Sequence, residues 1–334
     1  MKAGWERSNE WIMPDLDEVR NMLKPYFKDR FVKEIERLDG GLNNSNIKIK
    51  TNLNEYFVLR IYNKRSNNMK IETEIARLLQ GRVPVPQTVY ADSSCSVFKY
   101  PFLLMNWMEG EQFSEMIYRK NHKDIRKAAH AAGAALADIH KIRFPDSGFF
   151  DDELNIKEHV EINASTFIGF ILEMVEKGFV SKYLGKTLCS SVVKFVQEHV
   201  YLMDDPGVQN SLVHSDFNPL NVLVEEKGGG VKITILDWEY AFSGSPLMDI
   251  GNMLRYEGTT APGMLKPFIQ SYLENGGGLP ENWLQKAKLL DLIALLDLLN
   301  KEKCGEVRVK DIKGLIMKMM DEWEGYEAVQ RAFE

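Results

Sequence analysis

The sequence predicts an α+β fold with two lobes, a small antiparallel sheet followed by a larger, mainly helical part. Three β-prone segments follow one another between residues 32 and 62 without a helical pattern between them, which is typical of an antiparallel sheet. From residue 114 onward, apolar residues recur mostly at helical spacing. We therefore expect residues 1–106 to form the first lobe and residues 107–334 the second.

The composition is that of an ordinary globular protein. The chain has 334 residues, of which 44% are hydrophobic and 27% charged, and its formal net charge is −6. This acidic balance argues against nucleic acid as a partner, because nucleic-acid-binding proteins usually have a basic surface. The three cysteines are far apart, which predicts neither a disulfide framework nor a metal cluster and favours the reducing cytoplasm. No segment has the length and apolarity of a signal core or a membrane span, so we expect no membrane association. The oligomeric state stays open.

The first lobe is predicted to begin with a helix and to continue as strands. Residues 15–28 are amphipathic, with Asp15 as the N-cap and Glu18 three residues on. Strands are expected at residues 32–38, 47–51, 56–62, 88–91 and 102–105. A Gly/Asn-rich turn at residues 40–46 joins the first two strands. Its backbone N–H groups suit a phosphate, and a plain hairpin turn is the alternative.

The third strand places an arginine inside an apolar run. Alternation puts Val58, Arg60 and Tyr62 on one face of that strand. Because an unpaired buried charge is costly, Arg60 needs a partner. We predict that it pairs with Glu74 on the following helix, and Glu72 is less favoured because it lies on a different side of that helix.

The second lobe is predicted as a series of helices interrupted by one hairpin. Helical patterns cover residues 125–142, 160–175, 188–202, 262–274, 281–301 and 309–333. Residues 148–152 are expected to form a loop that either borders the substrate cleft or simply connects two helices. His140 ends the first of these helices, and we interpret it as a structural residue that contacts the terminal carbonyls.

The segment of residues 212–239 contains the candidate chemistry. Two short β-prone runs flank three glycines at residues 228–230 and predict a β-hairpin. Asn221 enters the first strand and Asp237 leaves the second, so their side-chain oxygens are expected to lie close together. An amide oxygen beside a carboxylate suits Mg²⁺ that is also held by substrate phosphates. Asp216, on the loop before the hairpin, is placed to accept a proton from an attacking hydroxyl.

These motifs resemble those of a known family. The run His214-Ser215-Asp216-Phe217-Asn218-Pro219-Leu220-Asn221, followed by Ile235-Leu236-Asp237-Trp238-Glu239, is similar to the catalytic core of the aminoglycoside phosphotransferases. That family also resembles choline kinases and, more distantly, protein kinases. The resemblance implies a bilobal protein-kinase-like fold and a Mg²⁺-dependent kinase that uses ATP or GTP. It implies that Asp216 is the catalytic base and that Asn221 and Asp237 are the magnesium ligands.

The resemblance also implies nucleotide contacts in the first lobe. Residues 106–110 correspond to the hinge between lobes, so that Met105 lines the nucleotide pocket and the backbones of Asn106 and Met108 bond the base. Ser45, in the Gly/Asn-rich turn, is a further candidate nucleotide contact.

Three more residues correspond to positions of known role in the family. His214 and Asp249 match residues that brace the catalytic loop. Arg60 stands where the family usually has a lysine that contacts the nucleotide phosphates and the helix glutamate, here expected to be Glu74. A purely structural ion pair is the alternative for Arg60.

The acceptor is not identified by the resemblance. Aminoglycosides, choline-like amines, homoserine, macrolides and sugars remain open, and so does the choice between ATP and GTP. One alternative is a weak or inactive nucleotide-binding protein of the same fold, which Arg60 in place of lysine favours. Another is a protein kinase, which the lack of an Ala-Pro-Glu segment after Asp237 disfavours.

We expect a small, cationic, hydroxyl-bearing acceptor. The net charge of −6 mildly favours cations. The region after the catalytic loop has several acidic residues and no evident basic cluster; the acidic residues are Glu239, Glu257, Asp291 and Asp297.

Overall fold

A five-stranded antiparallel sheet forms the amino-terminal part of the computed structural model, which describes residues 4–7, 9–39, 41–63, 68–119, 122–205, 207–257 and 263–333. Its elements are α1 (Leu16–Leu23), β1 (Val32–Leu38), β2 (Ser45–Thr51), β3 (Tyr56–Ile61), α2 (Asn68–Leu79), β4 (Thr88–Asp92) and β5 (Phe102–Asn106). The strands lie in the order β1-β2-β3-β5-β4. All five predicted strands are therefore confirmed.

Helix α1 begins at the predicted capping box. The Asp15 side chain accepts the backbone N–H of Glu18 at 2.8 Å, and the Glu18 side chain accepts that of Asp15 at 2.9 Å. The helix ends at Leu23, earlier than predicted, and its apolar side packs in one cluster with Ile47 and Ile49 of β2. Because residues alternate across a strand, both isoleucines face the same layer.

The rest of the chain is mainly helical. Its elements are β6 (Glu111–Gln112), α3 (Phe113–Tyr118), α4 (His122–His140), β7 (Gly148–Phe150), β8 (Ile156–His159), α5 (Ala164–Leu172), α6 (Val180–Leu184), α7 (Lys186–His199), β9 (Ser211–Val213), β10 (Val222–Lys227), β11 (Gly230–Ile235), β12 (Phe242–Gly244), α8 (Leu247–Met253), α9 (Leu265–Glu274), α10 (Trp283–Leu299), α11 (Glu306–Asp321) and α12 (Trp323–Gln330). Short π-helical and 3₁₀ turns cover Glu173–Lys177, Val200–Asp204 and Arg331–Phe333. The predicted α+β architecture is confirmed, and the division into lobes at residue 106 stays a prediction.

Two predicted segments have a different structure. Residues 148–150 are not a loop but strand β7 of a four-stranded sheet with the order β8-β7-β12-β9. Strands β7, β9 and β12 have three residues each, too few for alternation to be read from the sequence. The predicted helix of residues 309–333 is two helices that meet at Glu322. The start of the predicted helix at residue 262 lies outside the described residues.

Small residues on α4 let α9 approach it closely. Ala128, Ala129 and Ala132 are buried on α4, and a Cβ atom at Gly133 would collide with the backbone carbonyl of Phe268 on α9. This packing supports the end of α4, where His140 contacts Asp249, the residue that binds the loop before Asp216. Within the described ranges, no helix is long and apolar enough to cross a membrane.

Candidate active site

The predicted hairpin is confirmed, and it brings Asn221 and Asp237 to the same end of two paired strands. β10 and β11 pair in antiparallel register along their whole length around a turn at Gly228 and Gly229, both of which have positive φ. The backbone N–H of Leu236 donates to the carbonyl of Asn221 at 2.8 Å. The side chains of Asn221 and Asp237 consequently line one cavity.

Two amide side chains orient the Asp216 carboxylate. Asn218 Nδ2 donates to Asp216 Oδ1 at 2.8 Å, and Asn221 Nδ2 donates to Asp216 Oδ2 at 3.0 Å. Both amides also donate to the Asp216 backbone carbonyl, at 3.0 and 2.9 Å. Each oxygen of the Asp216 carboxylate is therefore oriented by a different side-chain amide. Asn218 was not assigned a role from the sequence, although its position two residues after Asp216 is typical of a side chain that bonds the local backbone.

His214 and Asp249 brace the loop that carries Asp216, as predicted. Asp249 accepts the backbone N–H groups of His214 and Ser215, both at 2.8 Å. His214 Nδ1 accepts the backbone N–H of Asp216 at 3.2 Å, so the ring proton is on Nε2, which lies 2.7 Å from the carbonyl of Leu236. Ser215 has a φ of 66°, a strained value for a non-glycine residue that these bonds hold in place.

His140 is structural, as predicted, but its partners are side chains rather than helix carbonyls. Its Nε2 lies 3.2 Å from Asp249 Oδ2, and its Nδ1 lies 3.0 Å from the hydroxyl of Tyr272 on α9. Both ring nitrogens and the Asp249 carboxylate are buried. The close α4–α9 packing therefore positions Asp249, and through it the catalytic loop.

The expected ion pair between Arg60 and Glu74 is wrong. Arg60 Nη1 contacts Glu72, and it also contacts Asp237 Oδ1 at 2.9 Å. Glu74 instead pairs with Arg77 on the outer side of α2, at 2.8 Å. The structure thus does not bring Glu74 to the candidate site, and Glu72 occupies the place that was assigned to it.

The rotation of α2 explains this difference. The buried side of the helix includes Met69, Glu72 and Ala76, together with Ile75 and Leu79. The first three positions are three and four residues apart and so lie on one face. An acidic residue is tolerated on that face because the guanidinium of Arg60 lies against it.

Arg60 joins three parts of the fold in a buried network. Burial alone would lower the pKa of Arg60, but the charges of Asp237 and Glu72 raise it well above its ordinary value. Burial raises the pKa of Glu72, and the charge of Arg60 opposes that shift. The hydroxyl of Tyr62 is hydrogen-bonded to Glu72 as well. The network links β3, α2 and Asp237, which lies two residues after β11.

Asp237 and Asn221 are the residues that the sequence predicts as magnesium ligands. Arg60 contacts Oδ1 of Asp237, and the Asn221 amide nitrogen is used by Asp216. Among the described residues, neither Asp237 Oδ2 nor Asn221 Oδ1 accepts a hydrogen bond from the protein. Asp237 has a φ of 65°, a second strained value at the site. A carboxylate oxygen and an amide oxygen on one cavity fit Mg²⁺, which usually takes few protein ligands.

A cavity of about 310 Å³ extends from these residues along the sheet. Met105 lines it, as predicted, and so do Asn106 and Met108, whose backbone contacts with a base stay a prediction. The backbone N–H of Asn106 donates to the carbonyl of Gln87 at 3.1 Å, so this N–H is already used within the protein. Within the described residues, the backbone N–H of Met108 has no acceptor. The apolar side chains around the cavity include Val58, Ala76, Leu103, Leu220 and Leu223.

Ser45 does not line this cavity. Its side chain is buried, and its Oγ accepts the backbone N–H of Ile12 at 2.9 Å. Gly41 and Asn46 of the same Gly/Asn-rich turn do line the cavity, while Gly40 lies outside the described residues. Phosphate binding by the backbone of this turn stays a prediction.

The Gly/Asn-rich turn is bonded across the cavity to the residues after Asp237. Asn44 Nδ2 donates to Glu239 Oε2 at 2.7 Å, and Asn43 Nδ2 donates to Glu239 Oε1 at 3.2 Å. Burial and the charge of Asp237 raise the pKa of Glu239 to about 7. Asn43 also bonds the hydroxyl of Tyr240. These contacts close the turn over the side of the cavity that holds Asp237.

A family model for the phosphotransferase enzyme family, APH, matches residues 34–283, which is more than half of the chain. The chain belongs to this phosphotransferase family. The resemblance inferred from the motifs is therefore confirmed, and so is the prediction of a kinase-like phosphotransferase. No curated protein matches the chain.

Solved structures of aminoglycoside phosphotransferases have the same fold as this phosphotransferase-family protein. The crystal structure of aminoglycoside phosphotransferase APH(4)-Ia matches with a TM-score of 0.69 and 16% identity, over 92% of this chain and 99% of that one. A putative aminoglycoside phosphotransferase from Ralstonia eutropha JMP134 matches with a TM-score of 0.64 and 15% identity, over 94% and 98%. ADP-bound APH(2'')-Ib matches with a TM-score of 0.59 and 17% identity, over 92% and 99%.

Proposed function

We propose that this protein transfers the terminal phosphate of ATP or GTP to a hydroxyl group of a small molecule. The observation that carries the proposal is the placement of Asp216 in hydrogen-bond contact with Asn221, whose side chain shares a cavity with Asp237. With Asp216 as proton acceptor and Asn221 and Asp237 as metal ligands, the site would have the arrangement that phosphoryl transfer needs. The family match supports the reaction class. Structural neighbours have been crystallised with ADP or AMP-PNP together with hygromycin B, which supports the nucleotide as co-substrate.

We place the nucleotide in the cavity of about 310 Å³. The base would lie between the apolar side chains of β3, β5 and β10, and would bond the carbonyl of Asn106 and the N–H of Met108. The phosphates would then extend toward Arg60 and Asp237. Arg60 has two carboxylate partners, so it would contact phosphate with donors that those partners leave unused, since a guanidinium has five N–H groups.

Asn221 and Asp237 would hold Mg²⁺ through the two oxygens that the protein leaves unpaired. When bound, the cation would neutralise charge on the nucleotide phosphates. Arg60 and the hairpin fix the Asp237 carboxylate, and Asp216 fixes the Asn221 amide. The residues of this chain therefore preorient both ligands before any cation binds.

Asp216 would orient the acceptor hydroxyl and take its proton. The hydroxyl oxygen forms a bond to the terminal phosphorus while the bond from that phosphorus to the bridging oxygen breaks, and the nucleoside diphosphate leaves with that oxygen. The proton ends on the Asp216 carboxylate. Asn218 and Asn221 hold the carboxylate throughout, and Asp249 and His214 hold its loop.

Substitution of Asp216 by Asn tests this role. Removal of a general base typically lowers turnover by about 10²- to 10⁴-fold. We expect that loss with nucleotide affinity nearly unchanged, measured by nucleotide consumption over a panel of hydroxyl acceptors with Mg²⁺ and by calorimetric titration of nucleotide. Asp138→Asn, which removes an exposed carboxylate paired with Lys141 on α4, is the control. Turnover of Asp216→Asn within a few-fold of the unchanged protein would reject Asp216 as the base.

A weak or inactive nucleotide-binding protein is the second candidate. The contact between Arg60 and Asp237 favours it, because a guanidinium is a rigid planar fork that replaces the flexible lysine usual in the family. Nucleotide binding without Asp216-dependent turnover on any acceptor would support this candidate. We propose for either candidate a cytoplasmic location, with neither nucleic acid nor a membrane as partner.

A further inference from the structure

A second cavity, of about 170 Å³, lies between the turn after α8 and helices α10, α11 and α12. Its apolar lining includes Leu284, Leu295, Leu315 and Met319. Six charged side chains also line it: Arg255, Glu257, Lys288, Asp291, Lys318 and Glu322. The expectation that this region has no basic cluster is therefore wrong, because three of the six are cationic. The sequence did not reveal them as a group because they come from distant parts of the chain.

Two of the six charges neutralise each other. Arg255 Nη2 donates to Asp291 Oδ1 at 2.6 Å, and Arg255 Nε donates to Asp291 Oδ2 at 3.0 Å. Arg255 Nη2 also donates to Asn252 Oδ1 at 3.1 Å. Both charged side chains are buried. This pair supplies a polar wall without net charge.

Lys288 is a buried cation whose donors are only partly used. Its residue is 8% exposed, and its Nζ donates to the backbone carbonyl of Leu254 at 2.6 Å. No carboxylate in the described part of the chain lies within ion-pair distance of it. Its ammonium group lies 5.6 Å from the ring centre of Tyr326. Because an ammonium has three donors, this one has capacity for an anionic partner in the cavity.

Glu257 provides the opposite charge on the same cavity. Burial raises the pKa of Glu257, and the backbone N–H groups of Leu265, Gly263 and Met264 oppose that shift. The N–H of Gly263 donates to Oε1 at 3.2 Å, whereas Oε2 is buried and has no hydrogen-bond partner among the described residues. Lys318 donates to the backbone carbonyl of Glu257, at 2.9 Å, rather than to this oxygen. Buried polar atoms are normally hydrogen-bonded, so an unpaired carboxylate oxygen here indicates a missing partner.

We propose that this cavity is the acceptor pocket and that the acceptor is a small hydroxylated zwitterion, whose carboxylate binds Lys288 and whose ammonium binds Glu257. This inference rests on the proposed kinase function. A molecule with both charges gives each side chain an opposite charge, whereas a purely cationic or purely anionic molecule leaves one of the two charges without a counter-charge in the cavity, which is costly. A site built to pair with a polar group rejects analogues that lack it.

Helix α8 connects this pocket to the catalytic base. Asp249, in its first turn, binds the backbone of the catalytic loop, and Arg255 follows its last turn. Burial alone would lower the pKa of Arg255, but Asp291 and, more weakly, Asp216 raise it above its ordinary value. Asp249 and Arg255 are six residues apart along the chain, so one helix and the turn after it join the loop that carries Asp216 to the wall of the pocket.

Three probes that differ by single groups test the pocket. They are L-homoserine, 3-aminopropan-1-ol, which lacks the carboxylate, and 4-hydroxybutanoate, which lacks the ammonium. We would titrate each calorimetrically into the full-length Asp216→Asn protein with nucleotide and Mg²⁺ present, so that binding is measured without turnover. We expect L-homoserine or the homologous L-serine to bind at least about tenfold more tightly than either single-charge probe. Tenfold in Kd corresponds to about 1.4 kcal/mol of binding free energy, which we assign to the one charge pair that each single-charge probe cannot form.

Two variants and a control locate the binding. Lys288→Met should weaken the zwitterion at least tenfold and leave 3-aminopropan-1-ol unchanged, while Glu257→Gln should weaken the zwitterion and leave 4-hydroxybutanoate unchanged. Lys286→Met is the matched control, because Lys286 is a buried lysine of the same helix that donates to the carbonyl of Asp205 and does not line the cavity. Thermal unfolding of each variant verifies that it folds.

The outcomes separate this inference from the proposed function. Tight zwitterion binding that depends on Lys288 and Glu257, with Asp216-dependent phosphorylation of the same molecule, supports both. Asp216-dependent turnover of an aminoglycoside such as kanamycin, with no zwitterion binding, overturns the pocket assignment and leaves the kinase standing. Zwitterion binding that depends on both side chains but never leads to nucleotide consumption overturns the acceptor role.

Discussion

Replacing Lys288 by Met is expected to make the protein more stable at neutral pH. Burial lowers the pKa of Lys288 to about 8, against an ordinary value of 10.5. At about 1.4 kcal/mol for each tenfold change in proton affinity, holding the charged lysine in the folded state costs about 3 kcal/mol. Methionine leaves the carbonyl of Leu254 without its donor, which costs about 1 to 3 kcal/mol. The difference is a net gain of about 0 to 2 kcal/mol in the free energy of unfolding at pH 7.

The gain should vanish at high pH. Below about pH 8, Lys288 is charged in both the folded and the unfolded state, so the folded state carries the full cost. Between about 8 and 10.5 the unfolded state binds more protons than the folded state, and the stability of the unchanged protein rises with pH. Above 10.5 the lysine is neutral in both states. The charged and titratable groups that face Lys288 are Asp291, Lys318, Arg255, Glu257 and Tyr326. Besides burial, the charges of Asp291 and Glu257 raise its pKa, and those of Lys318 and Arg255 lower it.

Urea unfolding followed by tryptophan fluorescence at pH 7 and near pH 10.5 measures this difference. Titration of other groups affects both proteins alike, so the difference between the variant and the unchanged protein isolates Lys288. A variant that is less stable at pH 7, or a difference that does not change with pH, would refute the reasoning. A confirmed gain would mean that the lysine is kept at a cost to stability, as is common for binding residues.

Three further predictions concern the active site and its support. Asp237→Ala should abolish the effect of Mg²⁺ on nucleotide affinity, since Asp237 is the carboxylate proposed to hold the cation; calorimetry with and without Mg²⁺ measures it, and an unchanged effect contradicts it. Arg60→Ala should lose turnover and about 3 to 5 kcal/mol of unfolding free energy, because it leaves the buried Glu72 carboxylate without its cation. Arg60→Lys should keep part of the turnover and part of the stability. Unchanged turnover in Arg60→Ala would show that the ion pair is only structural. Gly251→Ala should lower the melting temperature, because its Cβ would collide with the carbonyl of Ala287 on α10. An unchanged melting temperature would show that α8 and α10 can move apart without loss of stability.

The parts of the site that depend on local spacing were predictable from the sequence. A hairpin brings its outer ends together whatever surrounds it, so the glycine turn and the flanking strands alone predict that Asn221 and Asp237 lie close together. The capping box of α1 is a signal of the same kind, because Asp15 and Glu18 bond each other's backbones within one turn. The structure agrees with the sequence at these places because the determining contacts are short in sequence.

The parts that depend on how elements pack were not predictable. Glu72 and Glu74 are both compatible with a helix beside β3, and only the rotation of α2 against the sheet decides which one meets Arg60. Ser45 was assigned to the nucleotide from its place in the turn, but the amino-terminal segment bonds it through Ile12. The partners that decide these cases lie 12 and 33 residues away along the chain.

Helix α8 explains how the catalytic loop and the second cavity are held in one arrangement. Asp249, in its first turn, accepts the backbone N–H of His214 in the catalytic loop. At its other end, the carbonyl of Leu254 accepts a hydrogen bond from Lys288 on α10. The absence of a side chain at Gly251 lets α10 come near enough for that contact. A cation at the carboxyl end of a helix is also favoured by the helix dipole. The proposed acceptor charge and the proposed catalytic base are therefore positioned from opposite ends of one short helix, so a shift of α8 would displace both together.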